Sequence, residues 1–439
     1  MFAKVRIGVA ALLAFAVSPS VAHGETTATA GIERAATNIA RTEQTHRAWL
    51  SLDLVAARAQ AELVASAPLD SPLRQLNGLV VAVKDNVDTN WLPATAGARA
   101  LRNRRPTRNA TVVERILAAG GVIPGKTNMD TFARGVRTIS ELGGQTRNAV
   151  DPTKSPGGSS GGTAVAVALR NADAGIGTDT CGSLRYPAAY NGIYGLRPTL
   201  GLVSRAGIIP LSPAHDVVGP MARTPQDLAQ LLGVIAGRDG RDPATAMAPN
   251  DSYADISTFP SGGPLRIGVL RDRGAYTKSR TNTSPLTLLM DAGMELVDVT
   301  LPPLGLPNVI NEEFGVLKPK ILAGVLSDAE WLGGVAVINT RAYRSKLARM
   351  ADDRKRLVAF LDSSRLDAVV YPTTRFPAAA LGSPQPSTNC SLSASTGTPA
   401  IALPFQAPSP GIDVLGRPFS ERLLLQIAAG YEIVRTREQ

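Results

Sequence analysis

The sequence predicts an α/β fold, a mostly parallel β-sheet covered by helices on both faces. Short β-branched apolar runs alternate with helical patterns along the chain, as strand–helix–strand units require. Of 439 residues, 44% are apolar and 19% charged, enough for a sizeable core. The 41 glycines and 32 prolines point to many tight connections, and no internal repeat is visible.

Taken in order, residues 1–24 place Lys4 and Arg6 before an apolar run at 7–17, followed by small residues and SVA or AHG as cleavage sequences. Such a run is too short for the ~30 Å of a bilayer and has the form of a signal peptide. The expected location is the periplasm or the medium, with no stable membrane association after cleavage. Residues 25–439 are then expected to form one domain. From 32 to 66 the pattern is helical. GLVVAVKDNVD (78–88) reads as a buried strand ending on Lys84. TVVERILAA (111–119) is a helix stopped by Gly120 and Gly121, and VIPGKTN a short strand and turn. KSPGGSSGG opens a small-residue helix, TAVAVALRNA, and GIGTDT runs into CGSLRYP. YNGIYGLRPT and GLVSRAGIIPL add strand and turn signals. The polar stretch 238–263 reads as an exposed connection. PLRIGVLRD, MELVDVTLP, LDAVVYPTT and TPAIALPF supply the remaining strands.

Composition narrows the function. The formal charge of +10 sets 37 arginines and nine lysines against 36 acidic residues. No aromatic-interleaved basic patch stands out, so nucleic acid is not an expected partner. With His23 in the leader and His46 in a polar helical stretch, His215 alone is left for histidine chemistry. A zinc site or a Ser-His-Asp triad is therefore hard to assemble, and neither metal nor cofactor is expected.

Three glycine-rich strings compete for a role. GGVIPGKT (120–127) matches a phosphate-loop pattern, but a helix precedes it and Pro124 has no N–H to offer. Nucleotide binding is rejected there. KSPGGSSGG could be a linker, yet the helix that follows it at once suits a loop at an interior helix N-terminus. GTDTCGS (177–183) could be a plain strand-to-helix turn. It also sets Ser183 after a glycine, among backbone N–H groups able to hold an oxyanion, each worth ~3–4 kcal/mol to an acyl-transfer transition state. Such a serine needs a base. Lys84 suits if burial lowers its pKa of ~10.4 by several units; the bland reading is a salt bridge to Asp85 or Asp88.

Together these strings, in this order, resemble the amidase signature family of serine hydrolases. The likeness runs from about 77 to 237, through LNGLVVAVKDNVDT, AGGVIPGKTNMDTFA, GGQTRN, KSPGGSSGGTAVAVA and GIGTDTCGSLRYPAAYNGIYGLRPTLGLVSRAGIIPLSPAHDVVGPMART. It continues weakly in LDAVVYPTT, TPAIALPF and LGRPFSERLLLQIAAGYE. The resemblance implies a large central mixed sheet and a Ser–Ser–Lys triad: Ser183 as nucleophile, Ser159 as bridging serine after a cis Gly158–Ser159 bond, and Lys84 as base. It also implies an oxyanion hole from the N–H groups of Thr180, Cys181, Gly182 and Ser183. Asp179 and Arg185 would support that turn, and the backbone near Ala133 would line the acyl pocket.

The chain departs from the family in three places. Cys181 stands where glycine is usual, 275–365 is short, and the glycine-rich stretch after TPAIALPF is abbreviated to FQAPSPGIDVLG. The expected function is hydrolysis of a small-molecule or peptide amide, such as a peptide C-terminal amide or aryl acylamide, through an acyl-Ser183, by a monomer or homodimer. The alternatives are a transamidating subunit of a tRNA-dependent amidotransferase and a non-catalytic relative. Cys181 is read as lending only its backbone, so Cys181→Gly is expected to retain activity; a Cys181–Cys390 disulfide stays open.

Overall fold

The computed structural model describes residues 28–253, 255–256, 263–276, 283–325, 338–385 and 389–437; the signal peptide expected at 1–24 lies outside the described residues. Eleven strands form one sheet: β1 (Trp49–Leu52), β2 (Val81–Lys84), β3 (Gly125–Thr127), β6 (Ala174–Asp179), β7 (Tyr194–Arg197), β8 (Val217–Ala222), β9 (Arg266–Leu270), β10 (Glu295–Val299), β11 (Ala368–Pro372), β12 (Ala400–Leu403) and β13 (Ile412–Leu415). A separate hairpin pairs β4 (Ile139–Ser140) with β5 (Gly144–Gln145). The order across the sheet is β1-β3-β2-β6-β8-β7-β12-β13-β11-β9-β10.

The sheet is mixed, as the family resemblance implies, and not mostly parallel, as strand–helix alternation alone predicts. Parallel pairs are confined to β3–β2–β6 on one side and β11–β9–β10 on the other. The reason is insertion. Helix α5 (Arg185–Asn191) joins β6 to β7 as a crossover would, but β8 arrives later and pairs antiparallel with both. β12 and β13 then form an antiparallel hairpin beside β7. β8 carries Pro220 inside the sheet; the β7–β8 pairing runs only over Ala222 and Met221, so it has ended where proline has no N–H to give.

Helices cover both faces. Val81 and Val83 of β2 point to one face, under α3 (Thr111–Ala118), α6 (Pro225–Ile235), α7 (Pro285–Asp291) and α11 (Glu421–Arg437). Ala82, between them, faces the opposite side with α1 (Ala28–His46), α2 (Leu54–Ser66) and α4 (Gly161–Ala168). Further along the sheet, α9 (Arg341–Ser363) and α10 (Ser391–Thr396) pack on β11 and β13 through Leu357, Leu361, Leu392, Tyr371 and Leu415. Helix α8 (Ile310–Ala323) lays Phe314, Leu317 and Ile321 against Ala96, Phe132 and Leu211.

Three other expectations are corrected. The helical pattern at 32–66 is two helices with β1 between them: Glu43 captures the N–H groups of Ala48 and Trp49, and Asp53 caps α2 by accepting from Ala56 at 2.9 Å. GLVSRAGIIPL forms no strand, only bridges from Val203 to Ala236 and from Ile208 to Val87. The stretch at 238–263 is anchored at its start, where buried Asp242 holds Arg205 through two 2.9 Å contacts; 254 and 257–262 lie outside the described residues.

Candidate active site

Lys84 ends β2, an interior strand flanked by β3 and β6, and has no exposed surface. Its Nζ lies 2.8 Å from Ser159 Oγ, 2.7 Å from Thr178 Oγ1 and 3.3 Å from the Thr178 carbonyl. Three partners match the three hydrogens of an ammonium. They equally suit a neutral amine that donates twice to Thr178 and accepts from the Ser159 hydroxyl. Burial pushes the Lys84 pKa down to about 7, against the opposing pull of Asp130, Asp179 and Asp216. The salt-bridge reading does not hold: Asp85 accepts from Thr95 and faces Lys126, while Asp88 pairs with Arg104 at 2.5 Å.

Ser159 and Ser160 sit at the mouth of α4, and the Gly158–Ser159 peptide is cis. The loop is packed from above by the segment after Asp130, whose carboxylate accepts from the N–H groups of Arg137, Thr138 and Ile139. A Cβ on Gly158 would come within 2.2 Å of that carboxylate, so glycine is required. The Ser160 N–H reaches the Ser183 carbonyl at 3.2 Å and brings the two serine loops together. Ser183 Oγ itself makes no hydrogen bond to a described residue.

The turn after β6 is held chiefly by Asp179. Its carboxylate accepts from Gly182 N–H at 2.6 Å and Leu184 N–H at 3.2 Å, and pairs with Arg185 (3.2 Å) and Arg197 (3.0 Å). Burial would raise its pKa, but the two guanidiniums outweigh it and hold it at about 2. The expected support roles of Asp179 and Arg185 therefore have a geometric basis. Of the expected oxyanion donors, Gly182 is already engaged, its N–H donating to Asp179 Oδ1 at 2.6 Å. The N–H groups of Thr180, Cys181 and Ser183 take no acceptor among the described residues.

Cys181 is not a backbone donor only. Its sulfur is bonded to Cys390, with the Cα atoms 4.9 Å apart and 209 residues between them in sequence. Ala133 and Phe132 both adopt positive φ (57° and 55°), and Ala133 lines a cavity of about 10 Å³ with Asn86, Thr178, Thr180 and Asp216. Thr178, Asn86, Asp130 and Asp216 lie within the quoted strings but receive no role from them; the fold sets Thr178 against Lys84, Asn86 Nδ2 3.2 Å from Thr178 Oγ1, and the charges of Asp130 and Asp216 near the amine. His215 is buried and its pKa falls to about 4, chiefly through burial. Its Nδ1 lies 3.1 Å from the Ala394 carbonyl, and its Nε2 accepts from Val309 N–H, which is a structural role. Lys126, of the rejected phosphate-loop string, points instead to the carbonyls of Val87 and Pro93.

Known proteins share this arrangement of elements. Residues 30–310 match the family model described as Amidase. Over 296 residues the chain is 44% identical to the A-type component of a glutamyl-tRNA(Gln) amidotransferase from Chloroflexus aurantiacus, covering 65% of this chain but only 60% of that relative's length. The corresponding A-type component from Thermus thermophilus is 33% identical over 418 residues, covering 84% of this chain and 87% of the relative. Among solved structures, the peptide amidase of Stenotrophomonas maltophilia is 31% identical with a TM-score of 0.76, covering 94% of this chain and 95% of that one. The match over residues 30–310, together with a 33% identical relative covering 84% of the chain, shows that the chain belongs to the amidase signature family.

Proposed function

We propose that this protein cleaves a carboxylic amide through an acyl-Ser183 intermediate. One observation carries the reading: a fully buried lysine with its pKa brought to about 7 lies 2.8 Å from Ser159, beside the loop of Ser183. Neutral Lys84 takes a proton from Ser183 through Ser159 while Ser183 Oγ attacks the amide carbonyl. The free N–H groups of the 180–183 turn hold the oxyanion, and the relay returns the proton to the leaving amine. A second nucleophile, water or an amine, then releases the acyl group.

Two uses of this centre have support. The curated relatives named as amidotransferase components favour a transamidating role that works with partner proteins. Whole-length likeness to a peptide amidase favours a stand-alone hydrolase acting on a peptide C-terminal amide or aryl acylamide. The latter also suits export, since the Cys181–Cys390 disulfide and the N-terminal charged-then-apolar pattern both fit an oxidising compartment. Purified protein without partners, assayed for ammonia or amine release from glutamine, dipeptide amides and p-nitroacetanilide, separates the two. The hydrolase reading expects turnover that disappears in Ser183→Ala; turnover surviving that substitution would reject the mechanism. Release only with an added amine acceptor and partner proteins would favour the transamidating reading. The mature N-terminus, sequenced after cell fractionation, tests export; an intact Met1 in the cytosol would reject it.

A further inference from the structure

The turn that presents Ser183 is gripped from a second side by a carboxylate the chemistry above does not use. Asp216 is buried in the loop before β8. One of its oxygens accepts from the Thr180 hydroxyl at 2.5 Å, and the other accepts from the N–H groups of Leu211 and Ser212, each at 2.8 Å. Burial raises the proton affinity of Asp216, while the donors from Thr180, Ser212 and Leu211 and the charge of Arg205 oppose that rise and favour the carboxylate. Thr180 is the first residue of the turn, and its own N–H faces no acceptor among the described residues. Asp179 grips the far end of the same turn at Gly182 and Leu184. The two carboxylates therefore hold its two ends, with the oxyanion donors between them.

We propose that Asp216 is a positioning residue: acting through the Thr180 hydroxyl, it fixes the oxyanion donors and Ser183, and its negative charge is one of the groups that set the proton affinity of Lys84. The inference rests on the acyl-Ser183 reading. Its second half follows from the surroundings. Lys84 faces three carboxylates, Asp130, Asp179 and Asp216, each favouring its charged form. Asp130 is engaged by three backbone N–H groups and Asp179 by two guanidiniums. Asp216 faces Arg205, whose own charge is paired with Asp242, along with Arg197 and Glu313. Thr180, Asp216 and Thr178, the partner of Lys84, also line the same small cavity. A change at Asp216 thus acts on both the turn and the base.

The test uses an alkyl fluorophosphonate on the full chain. Ser183 Oγ forms a bond to phosphorus, fluoride leaves, and the serine proton passes through Ser159 to Lys84, so the rate reports the centre whatever its natural substrate. The variants are Asp216→Asn, Thr180→Val, Thr180→Ser and the double change Asp216→Asn/Thr180→Val, with circular dichroism confirming the fold. Expected are losses of about 10²–10³-fold in the phosphonylation rate for Asp216→Asn and Thr180→Val. The double variant should fall little below either single one, because both remove the same link. Thr180→Ser, which keeps the hydroxyl, should recover most of the rate. The acid limb of the pH–rate profile should move to lower pH in Asp216→Asn, since Lys84 loses a neighbour that favours its charged form. A wild-type rate in Thr180→Val, or an acid limb unmoved in Asp216→Asn, would overturn the proposal. A wild-type chain that never labels Ser183 would instead overturn the acyl-serine reading and the inference built on it.

Discussion

In the acyl-serine chemistry proposed above Lys84 is the base, and its environment predicts a pH profile. Burial favours the neutral amine, and with a pKa near 7 the base is half available at neutrality. The acid limb of kcat/KM should therefore rise through about pH 7 and level off above it, where Lys84 is deprotonated; a limb near 4 would point to a carboxylate base. Lys84→Met should lower kcat by more than about 10³-fold while the chain stays folded, measured by amide turnover beside circular dichroism. Gly182 is the other decisive single position. At φ +90°, a Cβ would lie 2.0 Å from the Tyr186 ring. Gly182→Ala combines left-handed strain with a clash and should cost about 3 kcal/mol by denaturant unfolding, with loss of turnover.

Among the elements, the turn after β6 is tied to the segment before α10 by the only two cysteines of the chain. A cross-link between residues so far apart in sequence restricts the unfolded chain strongly, and such bonds typically contribute about 2–5 kcal/mol. Cys390→Ser should lower unfolding stability by that order and reduce kcat more than it changes KM, because the turn loses a tether rather than a substrate contact. A peptide map under non-reducing conditions should find Cys181 and Cys390 in one fragment. The expectation from sequence that Cys181→Gly retains activity did not count the bridge: the backbone N–H would survive the substitution, but the Cys181–Cys390 bond would not. Legibility also divides by element. β2, α3 and α4 are visible in the sequence because their periodicity and glycine stops are local. β8 is not, since Pro220 argues against a central strand until its neighbour is known to part from it there. Nor is the split between α1 and α2, which depends on β3 being present to accept β1.

For the molecule as a whole, the buried charges join distant parts of the sheet. Arg185, on α5, binds Asp179 at the end of β6 and Asp413 on β13, while Arg197 on β7 binds Asp179 as well. Removing the cation at the centre, as in Arg185→Met, leaves Asp413 buried without its charge partner and should cost about 3–5 kcal/mol. Acid tests the same cluster with a definite sign. Asp179 is held at about 2 in the folded state against ~3.9 unfolded, so its contribution is complete above about pH 4 and is lost as the pH falls through 2. That loss amounts to about 2–3 kcal/mol, read as the difference between the wild type and Asp179→Asn in urea unfolding across that window. By itself the sequence determined the local elements, because strand and helix periodicity and glycine-rich turns are short-range properties, and its resemblance to the amidase signature family pointed to Ser183, Ser159 and Lys84. Only the tertiary structure decided the mixed strand order, the capture of Gly182 by Asp179, the pairing of Cys181 with Cys390, and the lowered proton affinity of Lys84. Each of these depends on which groups from distant segments meet in the dry interior, where the packing of the whole sheet sets distance and desolvation together.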